Sequence, residues 1–120
     1  MGIVAVVGAS EKPERYANRA LRMLLAQGFT PISVSRSGED ILGVRGYSSL
    51  AAIPDPLDTV TIYLSPEKQA RIIQDILAIH PRRVIFNPGT ENPEAVAVLA
   101  RHGIIVTEAC TLVLLSTGQF

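Results

Sequence analysis

The segment Gly8-Ala9-Ser10 is the first candidate for chemistry, because it directly follows the apolar run Ile3–Val7. A glycine after a buried strand lets a phosphate approach the backbone and the N–H groups of a following helix. The glycine-rich dinucleotide fingerprint is absent as written, since Ser10 and Pro13 stand at its second and third glycine positions. A tight strand-to-helix turn is the alternative, and the position after the strand favours phosphate binding.

The end of the second apolar run discriminates between nucleotide ligands. Domains that prefer NAD place an acid there to accept from the ribose 2′-hydroxyl, whereas this chain has Ser35 and Arg36. An arginine beside a hydroxyl suits a ribose with an extra phosphate, such as the 2′-phosphate of NADP or the 3′-phosphate of coenzyme A. A solvated arginine is an equal alternative. Lys12 either adds positive charge near the first turn or faces water.

Two more strand ends carry candidate ligand contacts. The segment Leu64-Ser65-Pro66 offers backbone and apolar surface to an adenine ring or a pantetheine arm. In the polar segment after the fourth strand, Asn87 and Gly89 are candidates for ligand contact. The alternative there is an ordinary strand-to-helix turn, in which Asn92 caps the helix.

Familiar catalytic patterns do not occur in the sequence. No histidine or acidic pair has metal-ligand spacing, and no G-x-S-x-G motif activates Ser10. Cys110 is interpreted as a buried structural thiol, because Glu108 beside it disfavours a thiolate. We therefore expect a binding module without recognisable catalytic residues, and we expect no metal site.

Composition narrows the class of protein. The 120 residues suffice for one domain over 1–120, and they are 48% hydrophobic but only 5% aromatic. Eleven basic residues balance eleven acidic ones, which argues against nucleic acid and acidic membranes as partners. No apolar stretch approaches the ~20 residues of a membrane span, and no signal peptide is evident. We expect a cytoplasmic protein, and a homo-oligomer is left open.

The elements that must position these residues alternate between strand and helix. Strands are predicted at 3–7, 31–34, 59–63, 83–86 and 104–106. Helices are predicted between them, one ending at Gly28, one capped by Ser65 and ending at His80, and one capped by Asn92 and ending at Gly103. Residues 36–57 form an ordered loop in which 48–52 can make one helical turn. This pattern predicts a Rossmann-like α/β fold, a doubly wound parallel five-stranded sheet of order 3-2-1-4-5.

The order and spacing of several segments resemble the small stand-alone CoA-binding domain proteins, and the CoA-binding domain of the succinyl-CoA synthetase α subunit and of ADP-forming acyl-CoA synthetases. The resemblance covers essentially the whole chain. Its segments are Val6-Val7-Gly8-Ala9-Ser10-Glu11-Lys12-Pro13, Ile41-Leu42-Gly43, Tyr47-Ser48-Ser49-Leu50 with Ile53-Pro54, Phe86-Asn87-Pro88-Gly89-Thr90-Glu91-Asn92, and Glu108-Ala109-Cys110-Thr111-Leu112.

The resemblance implies roles by position. Gly8-Ala9-Ser10 would hold the ligand's phosphates, Leu64-Ser65-Pro66 would flank the nucleotide, and Asn87 and Gly89 would line the far side. Ser35-Arg36 replaces the Asn-Pro that the family usually has after the second strand, so the adenosine-end contact departs from the pattern. The synthetases' phosphohistidine belongs to a further domain that this sequence does not contain.

The function expected from this resemblance is binding of coenzyme A or an acyl-CoA by a small carrier, sensor or accessory protein. One alternative is an NADP-binding oxidoreductase-like domain, which the absence of a nameable catalytic pair disfavours. The other is a nucleotide-sensing interaction module, and the balanced charge disfavours a DNA-binding version of it.

Overall fold

The computed structural model of the chain describes residues 2–120. Its strands are β1 (Ile3–Val7), β2 (Thr30–Val34), β3 (Gly46–Tyr47), β4 (Thr59–Ile62), β5 (Arg83–Phe86) and β6 (Ile105–Glu108). Its helices are α1 (Tyr16–Ala26), α2 (Ala70–Ile79), α3 (Pro93–Arg101) and α4 (Thr111–Ser116), with 3₁₀ turns at Leu50–Ala52 and Pro66–Lys68. All strand pairs are parallel, in the order β3-β2-β1-β4-β5-β6.

The α/β parallel sheet is confirmed, but five strands was an undercount. The extra strand, β3, lies in the crossover that we predicted as a loop, and it pairs with the end of β2. The predicted order placed the strand at 59–63, the third of five, at the edge of the sheet beside the second strand. In the structure this strand is β4 and lies between β1 and β5, while β3 takes the edge position beside β2. Numbered as in the structure, the sheet has the order 3-2-1-4-5-6. Gly46 permits this pairing, because a side chain there would collide with the backbone oxygen of Glu39.

Both faces of the sheet are covered, as alternating residues of β1 show. Val4 and Val6 point to the face that α1 and α4 cover, where Leu21 and Leu115 are buried. Ala5 and Val7 point to the opposite face, whose core includes Ile76 of α2 and Leu99 of α3. Since a parallel strand buried on both faces needs no polar alternation, the continuous apolar runs of the sequence are explained.

The helix boundaries agree in part with the prediction. Asn92 caps α3, accepting a hydrogen bond from Ala95 N–H at 3.2 Å. Gly28 and Gly103 end α1 and α3 with positive φ. Ser65 does not cap α2, since the 3₁₀ turn Pro66–Lys68 intervenes and Ser65 makes no side-chain cap bond. The sequence also did not predict α4, which follows β6 after a short turn.

An ion pair between Asp58 and Arg82 lies at the amino end of the sheet, away from Gly8. Asp58 precedes β4 and accepts from Arg82 Nε at 2.8 Å and from Nη2 at 3.1 Å. It also accepts from the Thr59 hydroxyl at 2.7 Å. Chiefly through the Arg82 hydrogen bond, the pKa of the Asp58 carboxyl falls from 3.8 to about 2, against the opposing effect of burial.

This ion pair predicts a dependence of stability on pH. A carboxyl with a lowered folded-state pKa stabilises the fold above its unfolded pKa and loses that contribution as pH falls through the folded pKa. We expect the Arg82 contribution, about 1 kcal/mol after solvent screening, to disappear between about pH 4 and about pH 2. Urea unfolding of the parent and Arg82→Gln across this range measures it. Arg101→Gln is the control, and a constant difference between parent and Arg82→Gln at all pH values would contradict the prediction.

Candidate functional site

The carboxyl ends of the strands form the candidate site, with Gly8 at its centre. Gly8 directly follows β1 and has φ +87°, a conformation that favours glycine. A Cβ there would lie 3.1 Å from the backbone carbon and oxygen of Tyr63, so the turn also requires close approach. Two clefts, of about 510 and 500 Å³, lie on either side, and Gly8 lines both. We name them cleft A and cleft B.

Cleft A lies between the start of α1 and the turns after β4 and β5. Its cations are Lys12 and Arg15, and no acidic residue among residues 2–120 lines it. The remaining lining residues are mostly small or hydroxyl-bearing: Gly8, Ser10, Tyr16, Ala17, Tyr63, Ser65, Pro88, Gly89 and Thr90. A positively charged cleft with many hydrogen-bonding groups suits an anionic, polar ligand.

The backbone donors available to a phosphate differ from those expected. The N–H groups of Gly8 and Ala9 both donate to the Val34 oxygen, at 2.9 and 3.1 Å. These two residues therefore allow close approach but do not offer free donors. The first turn of α1, which begins at Tyr16, has no side-chain cap, and first-turn N–H groups lack intrahelical partners. That turn borders cleft A and is the better anion donor.

The loop between Gly8 and α1 is held by a helix residue that the sequence analysis missed. Asn18 is buried, and its Nδ2 donates to the Ser10 oxygen at 2.9 Å. Its Oδ1 accepts from Arg22 Nε at 2.9 Å. The Ser10 hydroxyl in turn accepts from the Lys12 N–H at 3.1 Å. The loop is thus fixed against α1, and Ser10 and Lys12 are kept at the edge of cleft A.

Cleft B lies between the ends of β1 and β2, the 3₁₀ turn at Leu50–Ala52 and α2. Its walls are apolar and come from Val7, Val34, Leu50, Leu64 and Ile72. Its polar lining consists of hydroxyls, three cations and one acid: Ser35, Ser48, Ser49, Arg36, Lys68, Arg71 and Asp75. The expected pair Ser35 and Arg36 therefore lies at this cleft.

Lys68, Arg71 and Asp75 were not predicted as site residues. Their spacing of three and four in the sequence is the signal that could have found them. Arg71 and Asp75 lie one turn apart on α2, and Lys68 lies in the 3₁₀ turn that precedes it. The Arg71 side chain is 73% exposed and lies at the rim, whereas the Asp75 side chain is 12% exposed. Three cations and one acid leave cleft B positive in a chain whose net charge is zero.

Gln69 fixes the two turns that border cleft A on the side of β4 and β5. It is fully buried, and its Nε2 donates to the Leu64 oxygen at 2.9 Å and to the Thr90 oxygen at 2.8 Å. Its Oε1 accepts from Asn92 Nδ2 at 3.0 Å. Because the same amide donates to a carbonyl oxygen of each turn, Leu64 and Thr90 keep a fixed separation across the site.

Asn87 and Pro66 line neither cleft. Asn87 is 2% exposed, and its Nδ2 donates to the Thr61 hydroxyl at 2.7 Å and the Ile62 oxygen at 2.8 Å. Its Oδ1 accepts from the Thr111 N–H at 2.8 Å. Asn87 therefore joins β4, β5 and the start of α4 rather than facing the clefts. Pro66 is exposed on the 3₁₀ turn beside them.

The titratable side chains that line cleft A are Lys12, Arg15, Tyr16 and Tyr63. Burial raises the pKa of the Tyr63 phenol to about 12, so it stays protonated at neutral pH. Cys110, which the sequence analysis interpreted as buried, is a half-buried free thiol. Within residues 2–120, no group of three or more histidine, cysteine or acidic residues is placed to hold a metal ion. In the same residues, no helix combines the length and apolarity required to cross a membrane.

Comparison with known proteins identifies the family of this chain. The CoA binding domain family matches residues 3–116. An uncharacterized protein of known crystal structure has 39% sequence identity to this chain and a TM-score of 0.93. The match covers 100% of this chain and 98% of that chain. The uncharacterized protein YneT of Bacillus subtilis (strain 168) is 27% identical over 108 residues, which are 89% of this chain and 80% of YneT.

A larger protein contains the same fold. The acetyl-coenzyme A synthetase 1 of Ca. Korarchaeum cryptofilum matches 89% of this chain with 25% of its own length, at a TM-score of 0.76. Its identity of 24% shows a shared fold alone. The family match spans nearly all of the sequence, from β1 to the end of α4. This chain therefore belongs to the CoA binding domain family.

Proposed function

We propose that this protein binds coenzyme A or an acyl-CoA across both clefts, with the diphosphate beside Gly8. The observation that carries the proposal is the pair of positively charged clefts that meet at this glycine. A CoA molecule has two unequal arms joined by a diphosphate, so it would fill both clefts. Lys12, Arg15 and the first turn of α1 would face the diphosphate, and Ser10 would support that loop.

The adenosine arm would occupy cleft B. Its apolar walls, including Leu64, suit a flat ring, and Ser35 and Arg36 follow β2 where a ribose lies in related nucleotide folds. Lys68 and Arg71 would strengthen the attraction for the ribose 3′-phosphate. The sequence predicted one cation at this phosphate, Arg36, and the proposal adds Lys68 and Arg71.

The pantetheine arm would occupy cleft A. Ser65, Gly89 and Thr90 provide small, polar surface along an arm that contains two amides. Ala9 and Pro66 would contribute shape rather than hydrogen bonds, and Asn87 would act only by holding β4 and β5 in place. The proposed role is that of a carrier, sensor or accessory protein for CoA, since the residues that line the two clefts supply charge, hydroxyls and apolar surface to a ligand.

Calorimetry with Arg36→Ala tests the proposal. A hydrogen bond to a charged group contributes about 1.5–3 kcal/mol, and exposure at the rim reduces it. We expect Arg36→Ala to weaken CoA binding about tenfold and to leave dephospho-CoA binding nearly unchanged. Raising the salt should narrow the parent's preference for CoA over dephospho-CoA.

The control for this titration is Arg101→Ala, which removes an exposed arginine that lines neither cleft. It should bind CoA like the parent. NADP is titrated in parallel, because Arg36 would suit its 2′-phosphate as well. Failure of the parent to bind CoA would refute the proposed function, and tighter binding of NADP would favour the oxidoreductase-like alternative.

A further inference from the structure

A buried acid lies in cleft B without a full set of partners. Asp75 of α2 is 9% exposed and lines the cleft. Its Oδ1 is 3.5 Å from Arg71 Nε, at the outer limit of a hydrogen bond. Its Oδ2 has no hydrogen-bond partner among residues 2–120. Because a buried carboxylate oxygen without a partner is costly, the fold alone does not account for an acid at this position.

A donor that enters cleft B would remove this cost. Rotation about χ2 of an aspartate exchanges its two oxygens within a broad torsional minimum, so either oxygen can be offered to the cleft. An ionised carboxylate only accepts hydrogen bonds, and its ligand group must therefore be an N–H or O–H donor. The surrounding walls, Leu50, Leu64 and Ile72, are apolar, which favours a donor carried on the edge of a flat ring.

We propose that Asp75 accepts a hydrogen bond from the exocyclic amino group of adenine and makes cleft B selective for adenine over 6-oxopurines. This inference rests on the proposed function, in which the adenosine arm occupies cleft B. Hypoxanthine and guanine carry a carbonyl oxygen where adenine carries its amino group. With the ring held in the position of adenine, that oxygen would face the carboxylate, so two acceptors would meet. The N1–H of a 6-oxopurine could reach the carboxylate only if the ring shifted within the cleft.

Arg71 has a separate role at the rim of the cleft. Its side chain is 73% exposed, so it can contact both the Asp75 carboxylate and a ligand phosphate in solvent-accessible space. Arg71 would contact the phosphate and not the base, so it would bind every CoA analogue that has the same phosphates equally well. Removing Arg71 should therefore change the affinity for all such analogues by one factor.

The test compares CoA with its deaminated analogue, in which hypoxanthine replaces adenine. A well-made hydrogen bond to a charged group corresponds to about 10- to 150-fold in affinity. We expect the parent to prefer CoA by at least about tenfold. In Asp75→Asn the preference should fall to about threefold or less, because an amide can accept from adenine or donate to the carbonyl of hypoxanthine.

Arg71→Gln is the matched control on the same helix face. It should weaken both ligands equally and keep the parent's preference. Urea unfolding of each variant checks that the fold is retained, and the comparison of two ligands on the parent needs no variant at all.

The outcomes separate this inference from the proposed function. If the parent binds CoA and its deaminated analogue equally, the role of Asp75 is refuted while CoA binding stands. If Asp75→Asn lowers the affinity for both ligands by the same factor, Asp75 binds a ribose hydroxyl or stabilises α2, and base selectivity is refuted. If the parent binds neither ligand, the proposed function fails and this inference fails with it.

Discussion

The Gly8→Ala variant is expected to lose about 3 kcal/mol of unfolding free energy, against about 1 kcal/mol for Gly103→Ala. Both glycines have positive φ, +87° and +80°, so both variants carry the strain of an L-residue in that region. Only at Gly8 does the new Cβ meet backbone atoms, those of Tyr63 at 3.1 Å. A Cβ at Gly103 would have no atom of residues 2–120 within 4 Å, apart from Gly103 itself and its two neighbours in the chain. The difference in unfolding free energy between the two variants therefore measures the cost of the contact between the residues that follow β1 and β4.

Urea unfolding measures this difference, and calorimetry measures its effect on the ligand. Because Gly8 lines both clefts, a shift of its backbone would disturb both arms of a bound CoA. We expect the affinity of Gly8→Ala for CoA to fall by at least about tenfold, while Gly103→Ala binds like the parent. Equal stability losses in the two variants would show that the contact with Tyr63 is easily relieved.

Asn87→Asp is expected to cost about 3–5 kcal/mol at neutral pH. The substitution preserves shape but replaces the donating Nδ2 by an oxygen that faces the Ile62 carbonyl oxygen. It also places a negative charge at a site that is 2% exposed. Burial would raise the pKa of the introduced carboxyl, so the penalty is full above that raised pKa and shrinks as the pH falls below it.

Parallel urea titrations of Asn87→Asp and the parent at each pH provide the measurement. Comparing the two chains at the same pH cancels the loss that both share at the Asp58–Arg82 pair. The variant should recover part of its deficit on acidification. A deficit below about 1 kcal/mol, or one independent of pH, would mean that Asn87 is not the junction between β4, β5 and α4.

The parts of the fold with a strong local pattern could be predicted from the sequence. The continuous apolar run at β1 and the capping Asn92 of α3 each depend on residues close together in the chain. The position of the candidate residues at the ends of β1 and β2, beside the clefts, was also predictable. They follow from one topological rule, that ligands bind beyond the carboxyl ends of parallel strands.

The elements that were missed depend on tertiary contacts. The strand β3 has only two residues, Gly46 and Tyr47, too few for any periodicity, and it exists because β2 offers an unpaired edge. The six-residue α4 is positioned by the Asn87 oxygen that accepts from its first N–H, 24 residues away in sequence. Asn87 itself was predicted at the ligand because a polar residue after a strand has the same sequence signature whether it faces a cleft or a buried backbone.

The junction of the two clefts at Gly8 has a consequence for competition between metabolites. A ligand that spans the junction is bivalent, and once one arm is bound the other is held at an effective concentration of about millimolar. A nucleotide that fills cleft B alone, or an acyl-pantetheine that fills cleft A alone, lacks this advantage. In the proposed function, fragments would therefore displace the intact cofactor only at concentrations far above it, and the protein would respond to whole CoA rather than to its precursors or breakdown products.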